Sequence, residues 1–252
     1  MDAVQGAARL PVAPALADVT GSLRTGVVAT LVDLVSGGVV GRAVAPHWMA
    51  TADLSVHMVA AVPVGGGGTL RATGSLLRAG RTTAVIEVEL THAHAVVGIA
   101  TTTFAVLPRR STNPTIDGVA GNVGDGFGGS DGFDRPLLDA IGLQPVASDP
   151  RAVEVAFDPY VGNTLDAVQG GVVAMVLEAG AVAGLGSAVP MRVVQREVNY
   201  LALLKVGPIR TATRVLRDTP ERAVVEVRAV DHGNGDRVTT VARAVLVPGD
   251  PT

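Results

Sequence analysis

The chain has 252 residues, 48% of them hydrophobic, a formal net charge of −3 and no cysteine. That length supports one large domain or two ordinary ones, and that hydrophobic share excludes a disordered chain. Of the 20 basic residues, 19 are arginine, but no basic run of the kind that tracks nucleic acid is present. Without cysteine there are no disulfides, thiolate metal sites or thiol nucleophile.

The first stretch, "MDAVQGAARLPVAPALADV", lacks a basic leader region and is broken by Pro11 and Pro14, so it does not read as a signal peptide. "RTGVVATLVDLVSG" (24–37) reads as a buried helix with one carboxylate, Asp33, inside it. An acid at mid-bilayer is costly, so a core helix is expected here rather than a membrane span. A strand follows at "DLSVHM" (53–58), then a loop at the "GGGG" of 65–68. "TTAVIEVELT" alternates apolar and polar residues as a half-buried antiparallel strand does. The turn "THAH" leads into a last strand, "GIATTTFAVL" (98–107). Residues 109–134, rich in Gly, Asp, Ser and Asn without periodicity, read as a linker.

Beyond the linker the same plan returns. "QGGVVAMVLEAG" (169–180) is a second apolar helix with a lone acid, Glu178. Placing Arg24 on Gln169 sets Gly26 on Gly171, Asp33 on Glu178 and Asp18 on Asn163. A small change of register sets "DLSVHM" over "REVNYL" (196–201). Later, "LRAGRTTAVIEVEL" (77–90) matches "LRDTPERAVVEVRAV" (216–230), and "DHGNGD" carries a hairpin signal before "RVTTVARAVLV" (237–247). The chain is thus an α+β unit written twice: 1–108, the linker at 109–134, and 135–252.

A helix start offers unpaired amides and a positive dipole end, and glycine there lets a ligand oxygen come close. That is what a developing oxyanion needs, with a carboxylate as base or nucleophile beside it. Gly170 and Glu178 are about 12 Å apart along one helix, too far to act on one carbonyl. Two antiparallel helices side by side would bring the acid of each to the start of the other. The duplication therefore predicts a pseudo-two-fold pair with composite sites.

These pieces, "NTLDAVQGGVVAMVLE" (163–178), "RTGVVATLVD" (24–33) and "TADLSVHM" (51–58), resemble the hotdog-fold acyl-CoA thioesterases of the phenylacetic-acid-degradation (PaaI-like, 4-hydroxybenzoyl-CoA thioesterase-type) family. The resemblance implies a tandem, or double, hotdog, in which a long central helix of each unit is wrapped by a curved antiparallel sheet. It implies hydrolysis of an acyl-CoA thioester to free acid and coenzyme A, with no metal and no cofactor beyond the coenzyme A of the substrate. Asn163 and the Gly170 and Gly171 amides would polarise the carbonyl; Asp33 would activate water or attack; Thr51 would help place the water. Gln169 stands where the family has His. In the other composite site Glu178 would face Arg24, Thr25 and Gly26, with Asp18 in place of the Asn and Val193 or a neighbour in place of the Thr. An Asp beside an oxyanion repels it, so that site is expected to be degenerate.

Simpler readings stand beside these. The glycines alone could serve tight packing, and Arg24 could form a plain salt bridge with Glu178. His92 and His94 lack a third ligand, so a metal site there is not expected. Trp48 and His57 are candidates for lining an acyl pocket, or for core filling. A hotdog hydratase would need a histidine at a helix start, which neither helix has; an acyl-CoA or lipid binder without turnover is the non-enzymatic alternative. A cytoplasmic protein binding a small acyl-CoA, with neither nucleic acid nor membrane as partner, is expected, as a monomer or a homodimer of pseudo-dimers.

Overall fold

The computed structural model describes residues 5–109, 135–163 and 165–249. All of the expected linker except Arg109 lies outside them. Two long helices are present, α1 (Thr25–Val44) and α3 (Gly170–Leu185), with a one-turn helix α2 (Leu137–Ala140) between them. Both long helices are longer than the acid-bearing cores read from the sequence. Each is apolar nearly all round, as a helix packed on several sides must be. α1 lies against α3 and the strands of its own half, and 61% of its most apolar window is buried. α3 stops at Gly186, whose left-handed φ of +62° suits the residue just past a helix end.

The strands are β1 (Gln5–Pro11), β2 (Trp48–Met58), β3 (Thr69–Ala79), β4 (Thr83–His92), β5 (Ala95–Leu107), β6 (Gln144–Val146), β7 (Asp149–Val155), β8 (Met191–Tyr200), β9 (Ile209–Thr219), β10 (Arg222–Asp231) and β11 (Arg237–Pro248). They form one sheet in the order β1-β3-β4-β5-β2-β8-β11-β10-β9-β7-β6, antiparallel at every described pairing. The order reads alike from both sides of the β2–β8 pair, where the two halves meet, except that β6 adds one strand at the second edge. Alternation set the helix-facing residues: Ala84, Ile86, Val88 and Leu90 of β4 are buried, as are Ala223, Val225, Val227 and Ala229 of β10. "LRAGRTTAVIEVEL" is a hairpin, β3 into β4, and its counterpart is β9 into β10. β1, β6 and β7 lie in segments not read as strands from the sequence.

The loops before the two helices share their hydrogen bonds position for position. Asp18 N–H donates to Ser22 O, and Asn163 N–H to Ala167 O; Arg24 N–H donates to Leu16 O, and Gln169 N–H to Val161 O. Asp18 and Asn163 each accept the amide two residues on, from Thr20 and Leu165. Leu23 N–H reaches Val62 O, and Val168 N–H reaches Leu204 O. This last pair corrects the strand register expected above. It sets Leu54 on Arg196, Val56 on Val198 and Met58 on Tyr200, one residue away from "DLSVHM" over "REVNYL". Leu54, Val56, Arg196 and Val198 are all buried, so only the corrected register keeps equivalent residues on the same face.

Candidate active site

Asp33 of α1 lies beside Gly170 at the start of α3, and Glu178 of α3 lies beside Gly26 at the start of α1. Residue numbers rise along one helix as they fall along the other, so the pair is antiparallel and each acid reaches the other helix's first turn. The two junctions differ in what fills them.

At the first junction, Thr51 Oγ1 donates to Asp33 Oδ1 at 2.7 Å. Thr51 sits at the β-bulge of β2, between Thr51 and Asp53, where the strand changes its pairing with β5. Burial pushes the Asp33 carboxyl above the ordinary aspartate range, and the Thr51 hydrogen bond pulls partly against it. A Cβ built on Gly170 would lie 3.6 Å from Asp33 Oδ2 and 3.8 Å from Tyr200 Cε1. The missing side chain thus leaves a methyl-sized space between a carboxylate and an aromatic ring. Tyr200, on β8, donates its hydroxyl to Gly170 O at 3.2 Å. Gln169 caps α3: its Oε1 accepts from Val172 N–H at 3.1 Å. Among the described residues, the Gly170 and Gly171 amides have no acceptor. Gly171 has a second task, because a Cβ there would collide with Thr30 of α1.

At the second junction the space is full. Glu178 is 3% exposed; its Oε2 accepts from Gly26 N–H at 2.6 Å and its Oε1 from Thr25 N–H at 3.3 Å. Thr25, which stands where α3 has Gly170, donates its hydroxyl to Val193 O at 2.5 Å. A Cβ on Gly26 would lie 2.7 Å from Glu178 Oε2 and 2.8 Å from Met175 Cα, so only glycine fits. Burial holds the Glu178 carboxyl above its ordinary range, opposed by the Arg24 and Arg196 charges and the Gly26 amide, while Asp18 adds to the rise. Burial likewise holds the Arg196 guanidinium below its ordinary range, opposed by Glu178 and by Tyr200. Arg196 donates through Nη2 to Ala174 O at 2.8 Å, and its Nε and Nη1 have no partner among the described residues.

The side-chain lengths explain the contrast. Glutamate has the extra methylene needed to land on the facing amides; aspartate, one methylene shorter and held by Thr51, stops beside Gly170.

The structure therefore brings Asp33, Thr51, Gly170 and Gly171 together, and separately Glu178, Gly26 and Thr25, with the Arg24 charge acting on Glu178. Asn163 sits in the loop before α3, where its Oδ1 accepts from Leu165 N–H at 2.8 Å and its remaining donor is Nδ2. Gln169 is engaged with its own helix. His57 lies about 20 Å along β2 from Thr51, at 3.3 Å per residue, with a parity that puts it opposite the buried Leu54 and Val56. Trp48 opens β2, and its indole nitrogen is buried without a partner among the described residues. Tyr200, which the sequence reading passed over, is the added member. Its signal was the alternation of β8, which puts it on the face of Arg196 and Val198. Among the described residues, no group of three His, Cys, Asp or Glu side chains is placed to hold a metal.

A sequence model of the thioesterase superfamily matches residues 20–99, a segment that holds α1, Asp33 and Thr51. No curated protein sequence matches the chain. Solved structures align over nearly its whole length at low identity. An acyl-ACP thioesterase from Bacteroides thetaiotaomicron has a TM-score of 0.61 at 12% identity, covering 96% of this chain and 97% of its own. The 12:0-ACP thioesterase from Umbellularia californica has a TM-score of 0.64 at 13% identity, covering 97% and 94%. The tesB protein of Mycobacterium avium subsp. paratuberculosis has a TM-score of 0.60 at 10% identity, covering 96% and 93%. The long helices and large antiparallel sheet are those of the hotdog fold.

Proposed function

We propose that the chain is a thioester hydrolase of acyl-CoA substrates, built as a tandem hotdog with one working composite site. The observation that carries this is the methyl-sized gap at Gly170, with the Asp33 carboxylate on one side and, at the start of α3, two amides that have no acceptor among the described residues. The match of residues 20–99 to the thioesterase superfamily supports the same reaction class.

In this reading the thioester oxygen lies on the Gly170 and Gly171 amides. As water or Asp33 attacks, negative charge collects on that oxygen, and the amides and the helix dipole stabilise it. Asp33 Oδ2 faces the space while Thr51 holds Oδ1, so the carboxylate is fixed in the orientation of a base. A base takes a proton from the attacking water, the tetrahedral carbon collapses, and the thiolate leaves as coenzyme A. Asn163, in the loop before α3, would supply a further donor through Nδ2, and the reaction in this reading uses no cofactor beyond the coenzyme A of the substrate.

At the second junction Glu178 already occupies the amides that a substrate oxygen would need. It therefore serves there as an internal ligand and not as a base. The PaaI-like type, the assignment of residues 1–108 and 135–252 as the two units, and a cytoplasmic location belong to the same proposal.

The test is free-thiol release from short, long and aromatic acyl-CoAs by wild type, Asp33→Ala and Glu178→Ala. Turnover lost in Asp33→Ala and kept in folded Glu178→Ala is the expected result. The reverse pattern overturns the assignment of sites. Saturable binding without product, surviving Asp33→Asn, would instead identify an acyl-CoA binder.

A further inference from the structure

The Tyr200 hydroxyl donates to the carbonyl oxygen of Gly170. That carbonyl and the Gly171 N–H belong to one peptide unit. A hydrogen bond received at the oxygen polarises the unit and makes its N–H a better donor. The ring of the same tyrosine stands 3.8 and 3.9 Å from the Cβ position of Gly170, across from Asp33 Oδ2 at 3.6 Å. One side chain thus touches both the peptide that would hold the thioester oxygen and the space the thioester would enter.

Two further observations set this residue apart. β8 grips the first two turns of α3 at two places, Tyr200 on Gly170 O and Arg196 on Ala174 O, so the start of the helix is held from the strand side. At the second junction the equivalent residue is Met58, and there the space is closed by Thr25 and Glu178. The aromatic hydroxyl is found only at the junction left open.

We infer that Tyr200 is the positioning residue of this site: it aims and polarises the Gly170–Gly171 peptide toward the thioester oxygen, while its ring walls the acyl-thioester space opposite Asp33. This rests on the thioester reading above. The two contributions separate by substitution, because phenylalanine keeps the ring and loses the hydroxyl, and leucine loses both.

The experiment is steady-state hydrolysis of the best acyl-CoA substrate by wild type, Tyr200→Phe and Tyr200→Leu, with thermal melts alongside. Removing a whole oxyanion donor costs about 100- to 1000-fold in kcat, so weakening one is expected to cost roughly 3- to 10-fold. Tyr200→Phe should show that loss with KM within about 2-fold of wild type and its melting temperature nearly unchanged. Tyr200→Leu should lose as much in kcat and also raise KM. A plain packing role would lower stability and leave Tyr200→Phe with wild-type kcat and KM; that result, with an active wild type, overturns the inference and leaves the thioester reading standing. A wild type inert toward every acyl-CoA overturns the thioester reading, and this inference with it. Should Tyr200→Leu fail to fold, the kcat and KM of Tyr200→Phe decide the question.

Discussion

The Gly26 amide and the Glu178 carboxylate are 2.6 Å apart, deep between the two long helices, and no solvent separates them. The start of α1 thus carries a carboxylate from its own chain, whereas the start of α3 has a methyl-sized gap beside Gly170. Glu178→Ala removes an acceptor from two amides and the counter-charge from the buried Arg196. Leaving a buried donor without its acceptor costs about 1–3 kcal/mol for each of the two amides. For a chain of this size the melting temperature should fall by on the order of 10 °C. Formate or acetate, small enough to enter the vacated position, should restore part of it in a concentration-dependent way. A melt insensitive to both the substitution and the added carboxylate would show that Glu178 does not tie the helices together.

Gly170 and Gly171 are adjacent in sequence and opposite in consequence. A Cβ on Gly170 meets nothing closer than 3.6 Å, whereas one on Gly171 runs into Thr30. Gly170→Ala should therefore fold with stability near wild type and lose most of its thioesterase activity, because the methyl fills the space between Asp33 and Tyr200. Gly171→Ala should be destabilised by about 1–3 kcal/mol from overpacking. Denaturant melts and thiol-release rates on the two variants check both statements. An active Gly170→Ala would show that the thioester lies elsewhere.

The half-buried Asp33 carboxyl is desolvated and sits above its ordinary range, so as a base it should give an acid limb in kcat/KM at higher pH than a free aspartate, whose value is about 3.9. Thr51→Val removes the bond that opposes this rise and should move the limb further up. A pH–rate profile that Thr51→Val leaves in place would separate Thr51 from the base.

The same burial has a stability cost of known sign. The folded state holds the Asp33 proton more tightly than the unfolded state, so the favourable contribution is complete below the ordinary aspartate range and is lost as pH rises through the raised value. Asp33→Asn should thus melt higher than wild type at neutral pH, and the gap should shrink as pH falls toward that of a free aspartate. Equal melts across the range would mean that Asp33 carries no such penalty.

Much of this arrangement was legible in the chain. The placement of Arg24 on Gln169 found both helices, both acids and the glycines, because helix packing constrains each of those positions tightly. The overlay of β2 on β8 was misread by one residue, because only the valine pair, Val56 and Val198, marks the phase, while Leu54 and Arg196 occupy the same inward position with unlike chemistry. Tyr200 was missed for the same reason, since the shifted register set it against the outward-facing His57. β1 was hidden by the short, mixed pattern of "QGAARLP", whose partner strand β3 lies more than fifty residues downstream. That Glu178 sits on the Gly26 amide and Asp33 on Thr51 depends on one methylene, a difference no spacing argument resolves.

The β2–β8 pairing has one more consequence. Two separate copies of a hotdog unit would make both junctions from identical residues, and any substitution would strike both at once. They would also part on dilution. Joined through adjacent strands of one chain, the halves meet at an effective concentration that dilution does not change. Activity per mole should then stay constant into the nanomolar range. Within such a chain the two junctions can differ, and here Glu178 fills one while Gly170 leaves a methyl-sized gap at the other.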